Sequence, residues 1–259
     1  MTAVYDTHAH LDDQNLYPEV EEVLARAREA GVTRINTVGC DWKSSLMSVR
    51  IAEKYPQQVW AVVGVHPHEI EPMDGAYLER LFELSQAEKV VAWGEIGLDY
   101  YRDSTPREAQ KKWFREQIEA AKSAGLPIVI HDRDAHQDCV DILKEMHGGV
   151  NGGVFHCFSG GWEMAKECMK MGFRISFAGP LTYKNAKTPV SVAEKVPLDY
   201  LLVETDSPYL TPEPYRGKRN ESARVVYTLA RLAEIRHIDY DLMAEQTTQN
   251  ALALFGNMS

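Results

Sequence analysis

The stretch PIVIHDRD, residues 127–134, runs three branched apolar residues, Ile128, Val129 and Ile130, directly into His131 and a group of charges. A short apolar run bounded by proline reads as a buried strand. His131 then sits at that strand's C-terminal end. The same device recurs along the chain. VYDTHAHLD (4–12) carries His8 and His10, VVAWGEIGLDYY (90–101) carries Glu95, and GGVFHCFSGG (152–161) carries His156. LLVETDSPYL (201–210) carries Asp206, with Glu204 two residues earlier on the same face. β-rich runs start near Val4, Arg34, Val59, Val90, Ile128, Val154, Arg174 and Leu201, and helical patterns separate them. Pro18 can open the first helix; Val20, Val23, Leu24 and Ala27 follow at helical spacing, and Gly31 closes it. Cys139, Ile142, Leu143 and Met146 repeat the pattern, as do Val226, Leu229, Ala230 and Ala233, and a last helix is expected from about Asp239 to Leu254.

Strands alternating with helices imply parallel βαβ units, either closed into a barrel or lying open and doubly wound. Polar residues end many strands here, not one switch point, which favours the α/β class with a (β/α)8 TIM barrel. The 259 residues match one such barrel, so a single domain over 1–259 is expected.

Composition is ordinary for a globular chain, with 44% hydrophobic and 25% charged residues. Cys40, Cys139, Cys157 and Cys168 form no CxxC pair, so a zinc ribbon or disulfide framework is not indicated, and free thiols in a reducing cytoplasm are the simplest reading. The N-terminal MTAVYDTHAH has no basic segment followed by an apolar one, and runs such as Val59 to Val65 are too short to span a bilayer. A cytoplasmic protein with no membrane association and no obligate protein partner is expected. The net charge of −10 is unlike that of proteins that coat nucleic acid. A nucleic-acid substrate would be held locally, through a metal and a few cations.

His8 and His10, two apart on a strand, point to one side and can share a metal. An H-x-H alone is more often a pair of surface histidines. His8, His10, Glu95, His131, His156 and Asp206, however, fall on five different expected strands, each near the end that faces the active side of a barrel. Four imidazoles and two carboxylates suit two divalent ions sharing a bridge. The competing reading is a set of separately satisfied buried polar groups, each costly. His66 also ends an apolar run and is expected in the pocket. His68, after Pro67, is expected further out, and His136, His147 and His237 at the surface. Cys157 should pack on the face opposite His156.

With these segments in order, the chain resembles the TatD family of metal-dependent deoxyribonucleases, in the amidohydrolase superfamily, over essentially its whole length. DTHAHLD, GVHPHE at residues 64–69, GEIGLDYYR, GLPIVIHDRDA, FHCFSG, LLVETDSPYL and YRGKRNES carry the resemblance; Ser222 stands where the family pattern often has proline. The resemblance implies that His8, His10 and Asp206 hold one metal, that His131 and His156 hold the other, and that Glu95 bridges them. It implies DNA as substrate, cleaved at phosphodiester bonds by a hydroxide activated between two divalent ions (Zn, Mn, Mg, Fe or Co). Exonucleolytic action on single strands is the family's pattern. Glu95 and Asp206 would be catalytic, with Asp206 taking the proton of the nucleophile. Glu204 would orient a ligand, and His66, Arg216 and Lys218 would bind substrate. The alternative is a metal-dependent ester or amide hydrolase, such as an aminoacyl-tRNA deacylase, or a small phosphoester hydrolase. A non-enzymatic metal-binding protein is disfavoured, because structural sites are usually closed.

Overall fold

A computed structural model of the chain describes residues 2–102 and 104–256; Met1 and residues 257–259, the ends of the expected 1–259 span, lie outside the described residues. Eight strands form one parallel sheet in sequence order. They are β1 Val4–Ala9, β2 Val32–Val38, β3 Val59–Val63, β4 Val90–Asp99, β5 Ile128–Arg133, β6 Gly153–Phe155, β7 Phe173–Phe177 and β8 Leu201–Val203. The helices that follow them are α1 Val20–Glu29, α2 Trp42–Lys54, α3 Gly75–Leu84, α4 Arg107–Ala124, α5 His136–Glu145, α6 Trp162–Lys170, α7 Lys187–Ala193 and α8 Val225–Arg236, with α9 Tyr240–Phe255 added. The TIM barrel expected from the alternation is therefore observed.

The sheet closes on itself at a short seam. β8 meets β1 through a bridge between Ala9 and Ser207, with the His10 amide donating to Ser207 O (2.8 Å) and the Asp206 amide donating to His8 O (2.9 Å). The buried Asp6 adds to the seam by accepting from the Thr205 amide and hydroxyl (2.8 and 2.7 Å). Asp6, on the same strand as His8 and His10, thus serves closure of the barrel. Its neighbour in the next layer is Ser222, which is buried and begins a single 3-10 turn.

Strand alternation divides the core in two. Ala61, Val63, Ile128, Ile130, Leu201 and Val203 join the cluster beneath the helices. Val62, Val129, Val154 and Leu202 join a second cluster inside the barrel, closed off by Ala251 and Phe255 of α9. Each such buried valine, isoleucine, leucine or phenylalanine contributes about 1.5–3 kcal/mol. The interior parity continues upward into chemistry: Val62 leads to His66, Val129 to His131, Val154 to His156, and Leu202 to Glu204. Two strands need a register shift to do the same. One lies in β1 between Asp6 and Ala9, the other in β4 between Trp93 and Ile96; the latter leaves Trp93 facing α4 and turns Glu95 inward.

Two local expectations need correction. Pro18 sits in a 3-10 turn (Tyr17–Glu19) that precedes α1. The buried face of α8 is Val225, Thr228, Leu229, Leu232, Ala233 and Ile235, one position out of phase with the expected stripe, and Ala230 is exposed. Thr228, a polar residue on the buried face, disguises the phase. α4 conceals another polar layer. Gln117 is buried and clamps both the amide and the carbonyl of Val65 (2.8 and 3.0 Å) and Trp93 Nε1 (3.3 Å). Gln110, two turns earlier, does the same for the Asp99 backbone (2.8 and 3.1 Å). α4 therefore fixes the ends of β3 and β4 through side-chain amides.

Candidate metal centre

At the C-terminal mouth of the barrel, His8, His10, Glu95, His131, His156 and Asp206 meet around one space. The Glu95 carboxylate lies between two histidine pairs. Its Oε1 is 2.6 Å from His131 Nδ1 and 2.7 Å from His156 Nε2. Its Oε2 is 3.5 Å from His8 Nε2 and 4.0 Å from His10 Nε2. Asp206 Oδ1 approaches the first pair, at 3.3 Å from His10 Nε2 and 3.8 Å from His8 Nε2. Asp206 adopts a left-handed backbone (φ 53°), and Glu204, two residues before it, reaches the same interior from the end of β8.

The far nitrogen of three of these rings is engaged. His10 Nδ1 is 2.9 Å from Val38 O, His156 Nδ1 is 3.2 Å from Glu204 Oε1, and His131 Nε2 is 3.0 Å from Asp99 Oδ2. A proton placed there leaves the near nitrogen's lone pair aimed at the shared space, the arrangement of ligand histidines. His8 stacks on His156 (centroids 4.0 Å, 15° between planes). Both rings turn Nε2 to Glu95. The fully buried His8 Nδ1 and Glu204 Oε2 are the polar atoms left without a hydrogen-bond partner on the other side, where His8, His156 and Glu204 form a potential ligand cluster. One carboxylate therefore lies behind a histidine of each pair.

The donor set fits divalent ions. Two imidazole nitrogens about 2.0–2.1 Å from one tetrahedral ion lie about 3.3–3.4 Å apart. The observed separations are 3.3 Å for His8 and His10 and 3.4 Å for His131 and His156. The clusters His8–His10–Glu95 and Glu95–His131–His156 are both close enough to hold an ion.

Electrostatics follow the packing. Burial alone would push the Glu95 carboxyl up, but His156 and His131 together hold it well below its ordinary range. Burial likewise opposes Asp206, and its contact with His10 keeps it ionised below the ordinary range. His66 behaves oppositely: burial, then the charge on His131, pushes it well down, so the ring is neutral. Its Nδ1 accepts from the His68 amide (3.1 Å), which places the proton on Nε2, 3.9 Å from Glu95 Oε1. A ring in this tautomer offers the pocket a donor. This argues against counting the His66–Asp99–His131 group as a further metal site.

Asp99 is a site residue that the sequence reading missed. Besides His131 it touches His68 Nε2 (3.2 Å), so His68 stands behind His131, one layer out as expected. Burial would raise its carboxyl, but the His131 hydrogen bond and the Arg102 amide hold it far below the ordinary range. The available signal was spacing: Asp99 is four residues after Glu95 on a strand and shares its face. Tyr209 was also missed; it is exposed at the rim, with its ring 6.0 Å from His10. The basic loop divides. Arg216 lies over the Tyr183 ring at 4.2 Å and Lys218 is 5.7 Å from the Tyr215 ring, whereas Arg219 is tied to Glu19 (2.8 Å). Cys157, expected to pack opposite His156, has a left-handed backbone (φ 41°), and its amide donates to Glu204 Oε1 (2.7 Å). His136 is held by Asp132 (2.7 Å) on the outer surface.

The family model for TatD-related DNases matches residues 5–256. The chain belongs to the TatD family. It is 46% identical over 97% of its length to a Bacillus subtilis protein named as the metal-dependent hydrolase YabD, of which it covers 98%. It is 31% identical to the 3'-5' ssDNA/RNA exonuclease TatD of Pectobacterium parmentieri, over 97% of this chain and 99% of that one. The crystal structure of the Escherichia coli TatD homologue YjjV superposes with a TM-score of 0.93 at 32% identity, covering 99% of this chain and 98% of that chain. The class is thus metal-dependent hydrolase of the TatD family. Among the described residues no helix is long and apolar enough to cross a membrane.

Proposed function

We propose that this TatD-family chain hydrolyses phosphodiester bonds in DNA, removing nucleotides from single strands, with two divalent ions held at the mouth of the barrel. The observation that carries the reading is Glu95, one oxygen against His131 and His156 and the other toward His8 and His10, from where it would serve both ions. His8, His10 and Asp206 would hold one ion and His131 and His156 the other. When bound, such a pair supplies electrophilic stabilisation of the phosphoryl oxygens and lowers the pKa of water. Asp206, ionised and within reach of the same space, accepts the proton of the attacking water. His66, neutral with its proton on Nε2, donates to a phosphoryl oxygen as charge develops. Glu204 and Asp99 fix the rings of His156 and His131. Arg216 and Lys218 hold a neighbouring phosphate, which a chain of net charge −10 must do locally. The exonuclease named in Pectobacterium parmentieri supports the substrate class.

The test is digestion of end-labelled single- and double-stranded DNA by metal-loaded protein, beside a panel of esters, amides and small phosphoesters. Shortening of single strands from one end is expected. Glu95→Ala should lower the rate by at least about 10³-fold, with loss of up to two ions per chain and unchanged circular dichroism. Turnover of esters or amides with intact DNA would move the assignment to the alternative class.

A further inference from the structure

Two residues beyond His131 on β5, and on the same strand face, stands Arg133, at the exposed mouth of the barrel. Its guanidinium lies over the ring of Tyr101 at 4.0 Å. In a chain with 38 acidic and 28 basic residues, Arg133 has no carboxylate partner among the described residues. The side chain is exposed, and no side-chain hydrogen bond among the described residues engages its N–H groups, which can match a phosphate bidentately.

The position of this stack is built, not incidental. Asp99 Oδ1 accepts from the amides of Tyr101 and Arg102 (3.0 and 3.2 Å), while Asp99 Oδ2 contacts His131. The same carboxylate therefore sets the turn that carries Tyr101 and the histidine beneath Arg133. Tyr100, which starts that turn, is pinned by its hydroxyl to Asp138 (2.6 Å). β5 is anchored to the turn by the Tyr100 amide on Arg133 O (2.9 Å).

We propose that Arg133, backed by Tyr101, is a subsite for a non-scissile phosphate of a nucleic-acid strand, next to the phosphate that reacts, on the β4–β5 side of the pocket. Arg216, stacked on Tyr183 in the loops after β7 and β8, uses the same device on the other side. The pocket thus takes a strand of several phosphates better than a compound with one. This inference rests on the nuclease reading above.

The test uses metal-reconstituted protein and a labelled, cleavage-resistant phosphorothioate hexathymidylate, with binding followed by anisotropy across a salt series. Arg133→Ala is expected to weaken binding about tenfold or more. It should also flatten the slope of log K against log salt by about 0.7, one phosphate's share for single strands. Arg133→Lys should keep the slope and lose part of the affinity, because the charge remains and the fork does not. Tyr101→Ala should give a smaller loss than Arg133→Ala. Lys170→Ala, an equal charge change on the outer face of α6, controls for net charge. Turnover of bis(p-nitrophenyl) phosphate, which has a single phosphate, should fall far less than oligonucleotide affinity in Arg133→Ala. Unchanged affinity and slope in Arg133→Ala, with wild type binding normally, overturns the subsite and leaves the nuclease reading standing. Equal losses on both substrates place Arg133 at the reacting phosphate and also overturn it. Wild-type protein that turns over the small diester but does not bind the oligonucleotide overturns both.

Discussion

The Glu95 carboxylate lies against His131 and His156 before any ion arrives, and this has a consequence for pH. Burial disfavours charge on His131 and His156, but Glu95 against both rings outweighs it, and both are raised above 6.5. In the metal-free chain these protonated rings stabilise the fold below pH 6.5 and lose that contribution as pH rises through their folded values. Glu95 works from the other side: held below 4.5, it contributes above that value and loses its effect on acidification. A divalent ion must expel the imidazole protons. Its affinity should therefore tighten with rising pH, by up to about tenfold per unit for each proton released, until the rings are neutral. Calorimetry in buffers of different ionisation enthalpy should show net proton release near neutral pH. Affinity that is flat with pH would mean that the rings are already deprotonated. Residues at this scale were legible where an apolar run ended in histidine, as at His131 and His156. Asp99 was not, because a carboxylate after leucine has no such flag, and Glu204 was legible only as a neighbour of Asp206.

At the scale of elements, α4 shows how polar side chains can do the work of packing. Gln117 satisfies the Val65 amide and carbonyl just before His66, and the indole N–H of Trp93. Gln117→Leu preserves volume and leaves those buried groups without partners, each lost bond costing about 1–3 kcal/mol. With the burial of leucine's apolar surface offsetting part of that sum, the variant is expected to lose about 2–5 kcal/mol, a fall in Tm of roughly 5–20 °C for a chain of this size. Calorimetry checks the first figure. A change within about 1 °C would show that water replaces the amide. This layer was invisible in sequence, because an isolated glutamine in a charged helix reads as solvent-facing. Strands were easier. Branched apolar runs marked each start to within about two residues, since burial on both faces leaves few other choices. The register shifts in β1 and β4 were not visible, for they depend on neighbouring strands and not on local pattern.

For the molecule as a whole, stability and chemistry reside in different layers. The large cluster under the helices and the smaller one inside the barrel are apolar, and the side chains of His8, His10, Glu95, His131, His156 and Asp206 belong to neither. Chelation should therefore abolish hydrolysis while leaving far-UV circular dichroism within about a tenth of its starting value, and a divalent ion should restore turnover. Hydrogen exchange should localise what is lost. The amides of His10 and Asp206, which join β1 to β8, are expected to exchange faster without metal, while amides in β3 and β7 keep their protection. Global unfolding on chelation would instead make the ions structural.

The seam between the first and last strands also fixes when, during its synthesis, the protein can become active. His8 and His10 leave the ribosome before the other ligands, yet their backbone partners are Asp206 and Ser207, nearly two hundred positions later, and α9 (Tyr240–Phe255) comes after those. A nascent chain that ends before Leu201 already contains His8, His10, Glu95, His131 and His156, but it has neither the strand that completes the ring nor the carboxylates Glu204 and Asp206. The pocket cannot assemble piecemeal from whichever ligands emerge first. The site is thereby kept inert by topology until Leu201 and the carboxylates after it, Glu204 and Asp206, have been made.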